Sequence, residues 1–140
     1  MKTLSIIVTT LNSNIKIQRF LESISNQDTQ DFCLIIVDGG STDSTIETIK
    51  NFKIPINFIL KPGVSIYGGI NCALDACKSD YYLVCGSDDE LNSNAVSTVL
   101  LDINQRPDFD LYLYSINKGN SVSNASKPSK IRKFLFATNN

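Results

Sequence analysis

Short apolar runs typical of β-strands alternate with helix-like segments along the first hundred residues of this chain. Strands are predicted at 4–10, 32–37, 56–60, 81–85 and 110–116. The second of these runs is apolar throughout, as expected of a central parallel strand that is covered on both faces. Consecutive βα units joined by right-handed crossovers form one sheet with helices on its faces. The sequence therefore predicts an α/β fold with a doubly wound, mostly parallel sheet.

Four helices are predicted between these strands. Ser13 or Asn14 is expected to cap the first helix. Its apolar face, at helical spacing, consists of Ile17, Phe20, Leu21 and Ile24. A capping box of Ser44 and Glu47 is expected to start the second helix, which runs to about residue 50. The third helix has an apolar face made of Ile70, Leu74 and Cys77. The fourth helix is expected at about 93–101.

The length of 140 residues predicts a single domain, with a core at about 3–116 and a basic, loop-rich tail at 117–140. No acidic residue follows Asp110, whereas five basic residues do. An apolar share of 42% and a net charge of -1 argue against a disordered chain and against a binder of polyanions. The longest apolar runs are strand-sized, far short of the roughly 20 residues of a membrane span.

The chain contains no histidine, which excludes Ser-His-Asp triads, Cys-His pairs and zinc sites with histidine ligands. Its four cysteines show no C-x-x-C spacing, and Cys33 and Cys85 are expected to be buried in strands. The first residues carry no cleavage site of a secretory signal. We therefore expect a reducing, cytoplasmic location, with contact at the inner face of the cell membrane as an open alternative.

Polar residues stand at the end of each of the first four predicted strands. They are Thr9, Thr10 and Asn12, then Asp38, then Lys61, then Ser87, Asp88 and Asp89. The carboxyl ends of parallel strands lie at one edge of a sheet, and open α/β sheets bind their ligands there. Three carboxylates at this edge suggest a site that binds a cation or accepts hydrogen bonds from a ligand.

The pair Asp88-Asp89 allows two interpretations. One carboxylate binds a divalent cation while the other accepts a hydrogen bond from a sugar hydroxyl; Mg²⁺ suits so sparse a set because it keeps waters and phosphate oxygens as ligands. Alternatively the pair forms a turn, with Asp89 or Glu90 near the start of a helix where the dipole favours acidic side chains.

Asp38 likewise has a structural and a functional interpretation. It either holds the following Gly39-Gly40 turn through an Asx-type hydrogen bond, or projects from the sheet edge to recognise a base or a ribose. The glycines do not form the pattern G-x-G-x-x-G, and no G-x-x-x-x-G-K-[ST] loop is present. The sequence thus disfavours a dinucleotide dehydrogenase and a P-loop NTPase.

Four segments together resemble family 2 glycosyltransferases, which have the Rossmann-like GT-A fold. They are SIIVTTLN at 5–12, IIVDGGSTDST at 35–45, KPGVSIYGGIN at 61–71 and GSDD at 86–89. The third is similar to a segment that many bacterial members write as E-P-D-x-G-I-Y-D-A-M-N. The resemblance covers about residues 3–100, with the four motifs in the family's order.

The resemblance implies a role for each matching residue. The nucleotide-sugar-binding set would be Thr9, Thr10, Leu11, Asn12, Asp38, Lys61, Asn71 and Asp88. The segment that begins at Thr9 would line the base, Asp38 would bond the uracil ring, and Asp88 would lie nearer the ribose. Asp89 would bind a divalent cation, Mn²⁺ or Mg²⁺, that bridges the diphosphate.

The chain departs from the family pattern on the donor-sugar side. Leu11 stands where a tyrosine is usual, Gly63 and Gly68 stand where aspartates are common, and Cys72 replaces a common lysine. The family's second half, which binds the acceptor and supplies a catalytic base, has no counterpart in these residues. We therefore expect the base to lie outside the 140 residues, and this fragment alone to be inactive in transfer.

The resemblance implies an inverting, metal-dependent bacterial transferase that moves a sugar from a UDP-sugar to a saccharide or lipid-linked acceptor, as in polysaccharide biosynthesis. An alternative is a non-catalytic module that binds a nucleotide-sugar and a metal ion. A third interpretation, binding of nucleic acid or a membrane surface through the basic tail, is weaker because such residues more often form a solvated face. We expect no nucleic-acid partner.

Overall fold

The computed structural model describes residues 3–114 and the backbone of residues 117–118 and 121–122. The elements follow one another as β1 (Leu4–Thr10), α1 (Asn14–Ser25), β2 (Cys33–Asp38), α2 (Thr45–Asn51), β3 (Ile56–Leu60), α3 (Ile66–Ala76), β4 (Tyr81–Gly86), α4 (Ala95–Gln105), β5 (Asn117–Lys118) and β6 (Ser121–Val122). The predicted alternation of strands and helices over the first hundred residues is confirmed.

Strands β1 to β4 form one sheet in the order β3-β2-β1-β4, and every neighbouring pair is parallel. Strands β5 and β6 are each two residues long, and they pair antiparallel in a separate two-stranded sheet. Strand β1 lies in the middle, because its residues pair with β2 on one side and with β4 on the other. This arrangement confirms the predicted α/β fold with a doubly wound, mostly parallel sheet.

Each face of the sheet has its own hydrophobic core, because side chains of a strand alternate between its two faces. On one face, Ile6 and Val8 of β1 pack with buried residues of α1, α2 and α4. On the other face, Ile7 packs with Ala73 of α3. The four apolar residues predicted for α1 are all buried. Two-sided cover fixes the strands, so that their carboxyl ends form a rigid edge.

The predicted strand at 110–116 is wrong over the part that the structure describes, because residues 110–114 form no strand. The buried Tyr112 instead packs its ring edge-on against Tyr81, with 5.9 Å between the centroids, and its hydroxyl donates to the carbonyl of Arg106. The run of Leu and Tyr residues that resembles a strand therefore reflects anchoring of this segment beside α4 and β4. Residues 115–116 lie outside the described residues, as does the tail apart from the short hairpin.

Two capping predictions also fail. Neither Ser13 nor Ser44 makes a side-chain cap hydrogen bond, although each is the residue preceding its helix. The hydroxyl of Ser13 donates to the Leu11 carbonyl instead, and Asp43 accepts from the first backbone N–H of α2, that of Thr45. The capping box with Glu47 is therefore not formed. A carboxylate one residue earlier supplies the acceptor.

Two smaller differences concern residues at the ends of elements. Cys33 is exposed, contrary to expectation, because it is the first residue of β2, while Cys85 is buried as expected. Helix α4 begins at Ala95 and not at 93.

All four cysteines are free. Within the described part of the chain, no helix has the length and apolar character needed to cross a bilayer.

Candidate functional site

The order of the strands places a crevice at the carboxyl end of β1. The chain continues from β1 to β2 and β3 on one side, and then returns to β4 on the other side. Ligands of open α/β sheets bind where the winding reverses in this way. In the register of the sheet, Thr10 lies beside Asp38 and Thr9 lies beside Gly86. The sheet therefore brings three of the predicted polar strand ends together at one point.

The side chain of Asp38 is fully buried and organises the turn that follows it. Its Oδ1 accepts hydrogen bonds from the backbone N–H groups of Gly40 (2.9 Å) and Ser41 (2.7 Å). Its Oδ2 accepts from the hydroxyl of Ser41 at 2.6 Å. The Asx-type turn that the sequence allowed is thus present. Direct contact between Asp38 and a base stays a prediction.

The loop after β1 is clasped to the loop after β2. The backbone N–H of Asn12 donates to Ser41 Oγ at 2.8 Å, and the backbone N–H of Thr42 donates to Asn12 Oδ1 at 2.8 Å. Asn12 has a φ of 48°, in the left-handed region that asparagine tolerates better than most residues. We call Asn12, Ser41 and Thr42 the loop clasp. It fixes the two loops that border the crevice relative to each other.

A second set of bonds joins the same loops at the start of α1. The backbone N–H of Ser13 donates to Thr45 Oγ1, and that of Asn14 donates to Asp43 Oδ2. The hydroxyl of Thr45 also donates to Asp43, and this hydrogen bond is the largest of the causes that hold the pKa of Asp43 below its ordinary value. Asp43 therefore stays ionised at neutral pH. It caps α2 and ties α2 to α1.

The glycine pair after Asp38 allows the chain to pass close to the loop that follows β3. Gly40 has a φ of 97°, and a Cβ at this position would meet Pro62 at 3.2 Å. The backbone N–H of Gly63 donates to the Gly39 carbonyl, and that of Lys61 donates to the Asp38 carbonyl. A side chain at Gly40 would meet both strain and a steric conflict. The loop after β3 is thereby held against the loop after β2.

Thr10 has a buried hydroxyl at the edge of the crevice. Its side chain is 5% exposed, and its Oγ1 has no hydrogen-bond partner among the described residues. The neighbouring Thr9 packs its methyl group against Gly69 of α3, where a Cβ would approach to 2.8 Å. Leu11 is more than half exposed, with its Cδ1 near Gly39. A buried hydroxyl without a partner is costly, so Thr10 is a good candidate for a ligand contact.

The acidic pair folds back over the end of β4. Asp89 Oδ2 accepts from the backbone N–H of Gly86 at 2.6 Å, and a Cβ at Gly86 would meet Asp88 Oδ1 at 2.8 Å. Both carboxylates are exposed. Lys16 of α1 lies 3.7 Å from Asp88 Oδ2. The predicted turn is therefore confirmed for Asp89, whose second oxygen is not used by this bond, whereas the predicted nearness of Asp89 or Glu90 to a helix start is wrong, because α4 begins only at Ala95.

Burial, with a smaller contribution from the charge of Asp89, raises the pKa of the Cys85 thiol to about 12. The thiol is therefore protonated at neutral pH, which argues against its use as a nucleophile. A Cys-His pair is excluded as well, because the chain contains no histidine.

The remaining predicted residues, Lys61 and Asn71, are both exposed. Lys61 follows β3 directly, so its side chain begins at the same edge of the sheet as Asp38. Asn71 lies on α3, the helix that packs against β1 and β2. A shallow depression of about 570 Å³ lies beside α2, and none of the predicted site residues lines it.

Sequence reasoning missed Ser41, Thr42 and Asp43 as parts of the site, and it also missed Lys16 as a neighbour of Asp88. A signal for the first three was present, because hydroxyl and carboxyl groups follow the glycine pair directly. Lys16 was not detectable, since its proximity to Asp88 depends on how α1 packs beside β4.

The acidic pair fits a divalent cation in its donor chemistry. Asp88 and Asp89 offer hard carboxylate oxygens, and Mg²⁺ or Mn²⁺ often takes one or two of these with water and phosphate oxygens. Both carboxylates fold over Gly86, which brings them to the same place. Within the described residues no group of three or more metal-binding side chains exists, so the substrate would have to complete the coordination.

Known proteins are similar to this chain in sequence. The chain is 40% identical over 109 residues to the teichoic acid poly(glycerol phosphate) polymerase of Staphylococcus epidermidis, covering 74% of this chain and 15% of that protein. It is 32% identical over 112 residues to the GalNAc(5)-diNAcBac-PP-undecaprenol beta-1,3-glucosyltransferase of Campylobacter jejuni, covering 75% and 36%. The chain thus spans well under half the length of these two relatives.

Solved structures show the same fold. S. aureus TarS in complex with UDP-GlcNAc superposes with a TM-score of 0.67 at 27% identity, over 76% of this chain and 32% of that chain. A complex of TarS with UDP gives a TM-score of 0.66, over 76% of this chain and 33% of that chain. The family model described as "Glycosyl transferase family 2" matches residues 5–140. This chain therefore belongs to glycosyl transferase family 2.

Proposed function

We propose that this chain is the nucleotide-sugar-binding part of an inverting glycosyltransferase that uses a UDP-sugar. The observation that carries the proposal is the loop clasp, which joins the loops after β1 and β2 where the sheet reverses its winding. Family membership and the TarS complexes with UDP and UDP-GlcNAc support this class of donor. The acceptor, a saccharide or a lipid-linked saccharide, and the metal dependence are parts of the same proposal.

In this proposal the base lies against the segment from Thr9 to Asn12 and near Asp38. A carboxylate has about four lone-pair positions, and three of those of Asp38 accept the hydrogen bonds of its turn. The remaining position on Oδ2 suits a single N–H donor such as N3–H of uracil, which reaches it only after the loop after β2 moves, because Asp38 is fully buried in the free protein. The unpartnered hydroxyl of Thr10, on the same face of the sheet, offers a further hydrogen bond.

The substitution Asp38→Asn separates the two roles of this side chain. An asparagine keeps the acceptor for the two backbone N–H groups, and its amide can donate to Ser41 Oγ, so the turn is retained. It cannot accept from N3–H at the Oδ2 position. We expect about 10- to 100-fold weaker uridine binding with an unchanged melting temperature, since a hydrogen bond to a charged group contributes roughly 1.5–3 kcal/mol. Unchanged uridine affinity would mean that Asp38 only shapes the turn.

The diphosphate lies at the acidic pair in this proposal. Asp89 would hold a divalent cation with its free oxygen, and Asp88 would accept from the ribose. Lys61 and Asn71 would contact the diphosphate or the sugar. When bound, such a cation stabilises the negative charge that gathers on a leaving diphosphate. The chain's own contribution is to fix the carboxylates through the Gly86 turn.

Transfer also requires a base within hydrogen-bond reach of the acceptor hydroxyl. We place that base outside these 140 residues, in the part of the protein that the longer relatives have and this chain does not span. The proposed place of action is the cytoplasm, at or near the inner face of the membrane. Four free cysteines are compatible with such a reducing compartment.

Calorimetric titration tests the proposal. UDP should bind more tightly in the presence of Mn²⁺ than with excess chelator, and ADP should bind more weakly than UDP in both conditions. Equal affinity with and without the metal would remove the role of Asp89. Equal affinity for ADP and UDP would show that the segment from Thr9 to Asn12, together with Asp38, does not recognise the base.

The residues expected on the donor-sugar side favour a second candidate function, a non-catalytic module that binds a nucleotide-sugar. Gly63 and Gly68 replace carboxylates that are common in the family, and a Cβ at Gly63 would contact nothing within 4 Å. Space beside Gly63 is therefore open, whereas a Cβ at Gly68 would meet Val64 Cγ2 at 2.8 Å. Release of UDP from UDP-sugars by the full-length protein, compared with an Asp89→Asn variant, discriminates the two. Metal-dependent release supports the enzyme, and binding without release supports the module.

A further inference from the structure

The connection from β4 to α4, residues 87–94, carries the acidic pair and contains no helix or strand. Backbone groups of such an irregular segment must find their partners elsewhere. Leu91, two residues after Asp89, donates its backbone N–H to Ser23 Oγ of α1 at 3.1 Å. The Ser23 hydroxyl in turn donates to the Phe20 carbonyl at 2.7 Å, which fixes its direction. Helix α1 therefore holds the connection directly behind the acidic pair.

Gln27 binds the same connection with both the nitrogen and the oxygen of its side chain. It lies just after α1 and is 7% exposed. Its Nε2 donates to the carbonyl of Asn92 at 2.7 Å and to that of Ser23 at 3.0 Å. Its Oε1 accepts from the backbone N–H of Val96 at 3.0 Å. The side chain thus ties the end of α1 to the connection and to the first turn of α4.

Gln27 also takes the place of a cap at the start of α4. The first N–H groups of a helix have no partner inside it, and Asn94, the residue before α4, makes no side-chain cap hydrogen bond. Val96 is 1% exposed, so water does not replace the acceptor that Gln27 supplies. A neighbouring bond runs between the same two regions, since the N–H of Asp28 donates to the Ser93 carbonyl at 2.8 Å. The start of α4 therefore depends on the segment that follows α1.

Loss of the Gln27 amide would release the connection. The buried N–H of Val96 would lose its acceptor, and the carbonyl of Asn92 would lose one of its donors. An unpaired buried polar group is costly, so the connection must shift to recover hydrogen bonds. Asp89 lies only three residues before Asn92, and no helix or strand between them absorbs such a shift. Because the Gly86 N–H fixes Oδ2 of Asp89, the shift would change the direction of Oδ1, the oxygen left for a cation.

We infer that Gln27 is a positioning residue which, together with Ser23, directs the free oxygen of Asp89 and so sets the affinity of the site for a divalent cation. Gln27 touches neither the cation nor the nucleotide. The inference rests on the proposed function, in which Asp89 holds the cation. Mg²⁺ requires nearly ideal octahedral coordination, so a small displacement of one ligand weakens its binding. The loop clasp lies on the other side of the crevice, so metal-independent binding of UDP should change little.

The test measures UDP affinity by titration, with Mn²⁺ and with excess chelator, and compares the ratio of the two affinities among variants. Gln27→Met keeps an unbranched side chain but makes none of the three hydrogen bonds. Its ratio should fall about 10-fold, the lower end of the effects seen for residues that support metal ligands, while its affinity with chelator stays near that of wild type. Gln18→Met is the matched control, because Gln18 is exposed on α1 and donates to Glu22; it should keep the wild-type ratio.

A measurement without metal or nucleotide checks the structural step. In the ¹⁵N-labelled, metal-free chain, the backbone amide resonances of Asp89 and Glu90 should move in Gln27→Met and stay in place in Gln18→Met. Unmoved resonances in Gln27→Met would overturn the inference, because the acidic pair would then keep its position without the Gln27 amide.

The results separate this inference from the proposed function. If wild type binds UDP equally with and without Mn²⁺, the metal role in the proposed function fails, and the inference fails with it. If wild type depends on Mn²⁺ and folded Gln27→Met keeps the wild-type ratio, or loses affinity equally in both conditions, only the positioning role is overturned. If Gln27→Met does not fold, Ser23→Ala takes its place, because it removes the acceptor of the Leu91 N–H from a half-buried position. The ratio should fall in that variant too, and an unchanged ratio would overturn the inference.

Discussion

Thr10→Val should stabilise the free protein and weaken its binding of nucleotide. Thr10 is 5% exposed, and its Oγ1 has no hydrogen-bond partner among residues 3–114. Valine has nearly the same shape and favours strands, so the substitution replaces the unpaired hydroxyl with a methyl group at the end of β1. The native state therefore carries a cost that valine removes.

The expected gain in stability follows from the burial of the Thr10 Oγ1 atom. A buried polar group that lacks a partner costs about 1–3 kcal/mol, and we take the lower end because a small shift can relieve part of it. About 1 kcal/mol corresponds to a rise of roughly 3–5 °C in the melting temperature of a domain of this size. The expected loss in UDP affinity is about 5-fold, the value of one neutral hydrogen bond of roughly 1 kcal/mol.

Thr10→Ser is the matched control, since it keeps the hydroxyl and deletes the buried methyl group. Deletion of a methyl group costs about 0.8 kcal/mol or more, so this variant should be less stable while its UDP affinity stays near the wild-type value. The assay is urea unfolding followed by circular dichroism, together with titration of UDP. A Thr10→Val variant that is less stable than wild type would show that the hydroxyl is already hydrogen-bonded, by solvent, in the free protein. Unchanged UDP affinity would show that the ligand does not use it.

Further predictions concern the metal, the pH and transfer. Asp89→Asn keeps an acceptor for the Gly86 N–H and should lower Mn²⁺-dependent UDP affinity about 10- to 100-fold in titrations, while the affinity with chelator stays unchanged. The pKa of Asp43 is lowered in the folded state, so its contribution to stability is present above its unfolded pKa of 3.8 and is lost as the pH falls through the lower folded value. Asp43→Asn should therefore reduce the loss of unfolding free energy that is measured as the pH is lowered through this range. The 140-residue chain with UDP-sugars, Mn²⁺ and mixed saccharide acceptors should form no glycosylated product, and turnover of about 1 per second or faster would place the base inside these residues.

The elements of the core were predictable because local pattern and tertiary burial agree in them. In α1 the positions Ile17, Phe20 and Ile24 recur at helical spacing and are all buried. The strand predicted at 110–116 was wrong over 110–114, since the run of Leu and Tyr residues there fits a strand as well as it fits the observed structure. What decides its structure is the packing of Tyr112 on Tyr81, a contact between residues far apart in the sequence. Local periodicity carries no information about such a contact.

The site was predicted in its location but not in its internal bonds. Polar strand ends meet at one edge in any parallel sheet, which is why Thr10 and Asp38 could be placed together. The loop clasp joins residues 29 and 30 positions apart in the sequence, and it depends on the register of β1 with β2. The predicted cap at Ser44 failed for a related reason, because Asp43 reaches both α1 and α2.

The most direct test of the account is to locate the bound nucleotide by following the backbone amide resonances of the ¹⁵N-labelled chain while UDP and Mn²⁺ are added. We predict shifts at the ends of β1, β2 and β4, that is, at residues 10–12, 38–42 and 86–89, with the largest at Asn12 and Ser41. Shifts confined to residues that line the depression beside α2, such as Ile46 and Lys50, or no shifts at all at millimolar UDP, would contradict the claim that this edge of the sheet binds the nucleotide.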